Sequence, residues 1–250
     1  MTTPQISSAT GAAQPRPSFE SLDVESLRKT FVEQNEFLFV ENLFPTDLVD
    51  ALRESAQALA PHVHRVRVPG YKQAGAVSYF RIRRYEPALT SLYQSPGLRQ
   101  FLECLIGRAL HCCAEDDPHA CALFYYDRPG DHIGFHFDSC HYRKGIVYTV
   151  LVGLVDESSA CLECHLYDDL PDRTPESRQV VLGRGGAAIF NGCNVRHRVT
   201  PLGPNERRIV LSMEFLLDPR MSKIRRFVAN VDHAYKYFGF NSVLEAYRKP

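Results

Sequence analysis

Tyr126-Asp127-Arg128-Pro129-Gly130-Asp131-His132-Ile133-Gly134-Phe135-His136-Phe137-Asp138 is the stretch whose reading decides the fold and the chemistry of this chain. Residues two apart in extended backbone point to one face, so His136 and Asp138 can present a ring nitrogen and a carboxylate oxygen to the same point. His197, 59 positions after Asp138, supplies a second imidazole from another predicted strand. Two imidazoles and one carboxylate, with coordination positions left open, suit Fe(II) that must still take up a cosubstrate and oxygen. A bare His-x-Asp is common by chance. Its weight here comes from what lies on either side.

Working outward, the C-terminal half reads as a series of short strands: Ala120–Tyr126, Gly134–Phe137, Gly145–Leu154, Cys161–Leu166, Gln179–Leu182, Ala187–Phe190, Arg196–Val199 and Arg207–Leu216. Turn signals such as Arg128-Pro129-Gly130-Asp131 and Gly183-Arg184-Gly185-Gly186 separate them. Strands at this spacing predict a mainly β domain, a barrel or jelly roll with helices flanking one sheet. Helical periodicity predicts helices over Ser21–Gln34, Pro45–Leu59 and Pro96–Leu105, with a short strand at Phe37–Val40. Ser78–Arg84 alternates as a strand, which would turn Arg81 and Arg83 to one face. The tail, Asp218–Tyr247, reads as helical and aromatic-rich. No internal repeat is visible.

The 250 residues are read as a disordered leader over 1–18, rich in Pro, Ser, Thr and Ala, followed by a single domain over 19–250. Acidic and basic residues balance at 29 each, which removes the usual electrostatic case for a nucleic-acid or membrane partner. No apolar run has the length of a membrane span, and the first residues lack a signal-peptide layout, so the expected location is cytoplasmic. Eight cysteines are expected to be buried free thiols. Cys161-x-x-Cys164 lacks a second pair, and adjacent Cys112 and Cys113 make poor tetrahedral zinc ligands.

The stretch ending in His136-Phe137-Asp138 resembles the metal-binding strand of the Fe(II)/2-oxoglutarate-dependent dioxygenases. Gly186-Ala187-Ala188-Ile189-Phe190-Asn191-Gly192, His197-Arg198-Val199-Thr200-Pro201 and Arg208-Ile209-Val210-Leu211-Ser212 are similar to that superfamily's second half. The resemblance covers about Ala120–Phe215. It implies a double-stranded β-helix, iron held by His136, Asp138 and His197, and oxidative decarboxylation of 2-oxoglutarate to succinate and carbon dioxide with O2.

The residues carry a parallel argument. A keto acid's far carboxylate, once buried, needs a planar and permanently charged partner. Arg208 lies eleven positions after His197 at the head of an aliphatic run, with Ser212 four residues on and on the same face. Arg207 is its rival, because a one-residue slip would exchange their faces. The resemblance favours Arg208. Tyr126 is a candidate hydroxyl donor to the same cosubstrate.

A narrower resemblance rests on Asp117-Pro118-His119-Ala120, Phe124-Tyr125-Tyr126, Gly130-Asp131-His132-Ile133-Gly134 and Tyr237-Phe238-Gly239-Phe240. These segments are similar to the radical halogenases that chlorinate free amino acids such as lysine. Those enzymes carry glycine where this chain has Asp138, so the resemblance implies a hydroxylase relative with no vacancy for chloride. The implied partner is a small molecule, a free basic amino acid. Arg81 and Arg83 are candidates for its carboxylate, and Asp117, His132, Asp116 and Asp131 for its ammonium groups. Asn230 or the aromatic tail is a candidate cover. Halogenase-like or other oxidative chemistry on another metabolite, a non-catalytic binding barrel and a zinc enzyme are the alternatives. The oligomeric state is not read from the sequence.

Overall fold

A computed structural model describes residues 19, 21–138, 141–142 and 145–247. The expected leader over 1–18 lies outside them. Along the chain run α1 (Val24–Glu33), β1 (Phe37–Val40), α2 (Thr46–Ala58), β2 (His64–Val68), β3 (Lys72–Val77), α3 (Tyr79–Tyr85), α4 (Pro87–Tyr93) and α5 (Pro96–Ile106). There follow β4 (His111–Cys112), β5 (Cys121–Tyr126), β6 (His132–His136), β7 (Val147–Glu157), β8 (Leu162–Leu166), β9 (Glu176–Val180), β10 (Ala187–Asn191), β11 (Arg196–Val199) and β12 (Arg207–Leu216). The chain ends in α6 (Lys223–His233), a π-helical turn over Ala234–Phe238, and α7 (Asn241–Tyr247).

Every pairing is antiparallel, in the order β1-β10-β7-β12-β5-β3-β6-β11-β8-β9, with β2 added to β3 and β4 to β12. The sheet curls on itself into a nearly closed jelly roll, because residues of β6, β8 and β11 share one cavity with residues of β5, β7 and β12. Strand alternation builds two faces. Ile209, Leu211, Met213 and Phe215 of β12 join a core with α1–α5, while Arg208, Val210 and Ser212 turn inward to the cavity. The flanking helices therefore cover the outer face and leave the inner one for a ligand.

Two sequence expectations are corrected, and one strand has no counterpart in the sequence reading. Ser78–Arg84 is not a strand: Tyr79–Tyr85 is α3, which buries Tyr79, Phe80 and Ile82. Its seven residues fit a period of two as well as 3.6, and Tyr79 N–H docks on the Pro118 carbonyl at 2.9 Å. The strand in this region lies upstream as β3, whose Lys-Gln-Ala-Gly-Ala-Val carries little β propensity and was not foreseen. Finally, the cysteines are not uniformly buried free thiols. Cys113, Cys121 and Cys164 are, but Cys104 is exposed, Cys112 and Cys161 are half-buried, and Cys193 is disulfide-bonded. Compartment arguments from the N-terminus do not address which thiols the fold brings together. Cys140 lies outside the described residues.

No helix among the described residues is long and apolar enough to cross a membrane.

Candidate metal and cosubstrate site

His136 and His197 are direct cross-strand partners on β6 and β11. That register brings the two rings to 4.2 Å between centroids. Each ring donates Nδ1–H to a carbonyl two residues back, His136 to Gly134 at 2.8 Å and His197 to Val195 at 3.0 Å. These bonds fix the tautomer, leaving both Nε2 lone pairs directed to the same space. Asp138 lies two residues past the end of β6, where its backbone N–H bonds the Gly192 carbonyl at 2.8 Å. Its Oδ1 is 3.8 Å from His136 Nε2 and 3.6 Å from His197 Nε2. The three ligand atoms lie within 4.8 Å of one another. Burial, followed by the nearby His197, pushes the His136 imidazole down to about 3, so it stays neutral and able to bind a cation.

Two neighbours shape this corner and were missed in the sequence reading. Thr149 on β7 donates its hydroxyl to Asp138 Oδ2 at 2.5 Å, which fixes the carboxylate's rotation. Gly192 is required because a Cβ there would run into the Asp138 side chain. The Asn191-Gly192 pair was visible in the sequence, but its contact depends on the loop between β10 and β11 folding over β6.

Arg208 and Tyr126 stand opposite each other on β12 and β5. Both line the cavity, whose volume is about 50 Å³, and Arg208 is 1% exposed. Arg208 spends one guanidinium nitrogen on the Ala160 carbonyl at 3.3 Å, and its buried Nε has no hydrogen-bond partner. Burial lowers its pKa, offset by Tyr126 and Asp156. Burial also raises the Tyr126 phenol, which keeps it a neutral donor. Ser212 lines the same wall, whereas Arg207 pairs with Glu157 and is half-buried outside the cavity. Donor set, fixed tautomers and an under-satisfied buried guanidinium all fit a divalent iron and a keto-acid cosubstrate.

The candidate substrate residues are not brought to this cavity. As a helical residue, Arg81 pairs with Glu245 at 3.3 Å and with the His62 carbonyl at 2.8 Å. Arg83 reaches Glu115 at 3.4 Å. His132 bonds the Gly130 carbonyl at 2.7 Å and lies outside the lining. Asp117 is buried behind the wall and held by Arg226 at 2.8 Å and Tyr142 at 2.5 Å. Burial alone would raise its carboxyl, but His233, Arg226 and Tyr142 hold it below the usual range. Asp131 bonds Arg65 and Gln73, while Asn230 bonds the Asp116 carbonyl. The lining instead includes His119, which the sequence does not assign to the site, together with Tyr237 of the aromatic tail offered above as a candidate cover.

The solved structure of the non-heme alpha-ketoglutarate-dependent epimerase SnoN from nogalamycin biosynthesis superposes with a TM-score of 0.65 at 14% identity, over 77% of this chain and 80% of that one. A Pseudomonas putida prolyl-4-hydroxylase gives 0.56 at 17% identity, over 79% and 99%. An oxidoreductase of the 2OG-Fe(II) oxygenase family from Burkholderia pseudomallei gives 0.58 at 13%, over 84% and 100%. At these identities the likeness is one of fold: the jelly roll is that of the iron and 2-oxoglutarate oxygenases. No curated protein matches the chain in sequence. The HalD (Halogenase D) family matches residues 19–157, more than half of the chain and inclusive of His136-Phe137-Asp138, and the chain belongs to that family.

Proposed function

We propose that this chain is an Fe(II)- and 2-oxoglutarate-dependent oxygenase that hydroxylates an unactivated C–H bond of a small amine-bearing substrate, a free basic amino acid such as lysine. The observation that carries this reading is the His136–His197 cross-strand pair, whose Nε2 atoms meet the Asp138 carboxylate in a cavity shared with buried Arg208. Iron bound there would supply redox chemistry and open positions for the keto acid and oxygen.

The chain's own residues have separate tasks. His136, His197 and Asp138 would hold the metal, and Thr149 keeps Asp138 from rotating. Arg208 would pair with the far carboxylate of 2-oxoglutarate, with Tyr126 and Ser212 as hydroxyl donors on the same wall. Ile133, Leu162, Val199 and Val210 keep that end of the cavity dry. Asp138 supplies a third protein ligand where the amino-acid halogenases resembled by this sequence carry glycine. Hydroxylation over chlorination is the outcome this favours. The amino-acid substrate is supported by the sequence likeness around Asp117–Gly134.

A succinate-release screen over free amino acids, with mass spectrometry of the products, tests the reading. The expected result is coupled succinate formation with a basic amino acid. Succinate that stays at the substrate-free background for every amino acid, yet rises with a non-amine metabolite, rejects the substrate. A protein that binds zinc or a small ligand without oxidising anything would form no visible iron–keto-acid band when Fe(II) and 2-oxoglutarate are added anaerobically.

A further inference from the structure

The alternation that points Arg208, Val210 and Ser212 inward carries on to Glu214, which meets the cavity through His119. Six residues along a strand separate Arg208 from Glu214 by roughly 20 Å. The cavity thus has two polar ends. Arg208 occupies one, and the His119–Glu214 pair occupies the other.

His119 is 8% exposed and lines the cavity. The Glu214 carboxylate holds its Nδ1, and its backbone N–H bonds Asp117 Oδ1 at 3.0 Å. Tyr237, Phe124 and Phe238 box the ring, with centroids 4.8, 5.7 and 5.8 Å away. Inside this box His119 Nε2 is buried and has no hydrogen-bond partner. A polar atom left this way in a cavity wall is costly unless a ligand arrives to meet it.

The protonation of the pair sets what Nε2 offers. Burial pulls the His119 imidazole down, but the adjacent Glu214 carboxylate lifts it above its ordinary value. Burial likewise raises Glu214, against the pull of His119. Both directions favour the protonated forms, and the carboxylate contact at Nδ1 leaves Nε2 as the ring nitrogen open to a ligand. Among the described residues, Asp138 is the only acidic side chain in the lining. Nearby, Lys72 Nζ is also buried without a hydrogen-bond partner, 3.6 Å from the Tyr237 ring centroid. This end is built for an acceptor.

We propose that His119 Nε2, positioned by Glu214, binds the α-carboxylate of the substrate, at the opposite end of the cavity from the 2-oxoglutarate carboxylate. The proposal rests on the oxygenase reading with a free amino acid as substrate, and it adds which chain residue recognises which group. His119 is the substrate-binding residue, and Glu214 is a positioning residue that acts through it.

Anaerobic protein loaded with Fe(II) and 2-oxoglutarate is titrated with the proteinogenic L-amino acids and with their matching L-amino-acid amides. Binding is read both as a change in the visible band and as heat. At least one acid should bind, with its amide weaker by about tenfold or more, since the amide forfeits a charge-assisted hydrogen bond. His119→Gln should cut that acid-over-amide ratio to about threefold or less with the band unchanged, and Glu214→Gln should lower the ratio in the same direction. An amide that matches its acid on the wild-type protein overturns the proposal without needing any variant to fold. So does a ratio that survives His119→Gln, or the failure of every amino acid to bind. If no band forms before substrate is added, it is the oxygenase reading that fails, and the calorimetric ratio still decides the role of His119.

Discussion

In the proposed reading, Asp138 is the residue on which most of the chemistry turns. It leaves β6 two positions after His136, is held through its backbone by Gly192, and has its carboxylate fixed by Thr149. Because the three candidate ligands sit on or beside already paired strands, losing one should cost metal and turnover more than fold. Alanine at His136, Asp138 or His197 is expected to abolish iron retention and succinate formation while circular dichroism stays that of the wild type. One such variant with near-wild-type succinate formation would remove the triad. Arg208→Ala should raise the 2-oxoglutarate requirement hundreds-fold, the equivalent of about 3–5 kcal/mol for truncating one side of a buried charge pair. Arg207→Ala should leave it nearly unchanged, since Arg207 lies outside the cavity. Equal effects would place the cosubstrate on the other strand face.

His136 also predicts a pH dependence. Its imidazole is held to about 3 in the fold against an ordinary value of 6.5, so between those limits the unfolded chain binds the extra proton. Stability of the metal-free protein should therefore be full above about pH 6.5 and fall as pH drops toward 3, with a slope approaching about 1.4 kcal/mol per pH unit from this group. Urea midpoints of wild type and His136→Gln across that window test it. Parallel curves for the two proteins would show that His136 does not contribute the slope.

Among the elements, the inner strands are the most legible, because β5, β7, β10 and β12 are mostly apolar runs buried almost throughout their length. The interleaved arginines of α3 are not. A seven-residue helix whose neighbours decide its packing offers too few turns for periodicity to distinguish it from a strand. His119 was quoted as part of a resemblance yet not placed in the cavity. Its signal was Glu214, an acid on the inward face of a core strand, which calls for a buried partner. The π-helical turn that sets Tyr237 on His119 has no sequence rule, but the Gly239 that ends it does. Gly239 adopts φ +73° and ψ 158°, backbone open essentially to glycine, and a Cβ would press on the His64 ring at 2.7 Å. Gly239→Ala should loosen the tail by about 1–3 kcal/mol. Hydrogen exchange should then speed over α6 and α7 with β7 and β12 still protected. Unchanged exchange in the tail would contradict the strained cap.

Across the whole molecule, helices cover the outer face of the jelly roll and leave a small inner cavity with the His136–Asp138–His197 corner in its wall. Arg208 and His119 both line it, and in the proposed reading Arg208 marks the cosubstrate end and His119 the other. Membership of the halogenase D family and the carboxylate at Asp138 pull toward different products, so the product itself is the most direct arbiter of the central claim. The measurement is the mass of the product formed in chloride buffer under isotopically heavy O2, with succinate counted alongside. The account predicts a product that has gained one heavy oxygen atom in step with succinate, and no chlorine. A chlorinated product, or turnover without incorporated heavy oxygen, would contradict it.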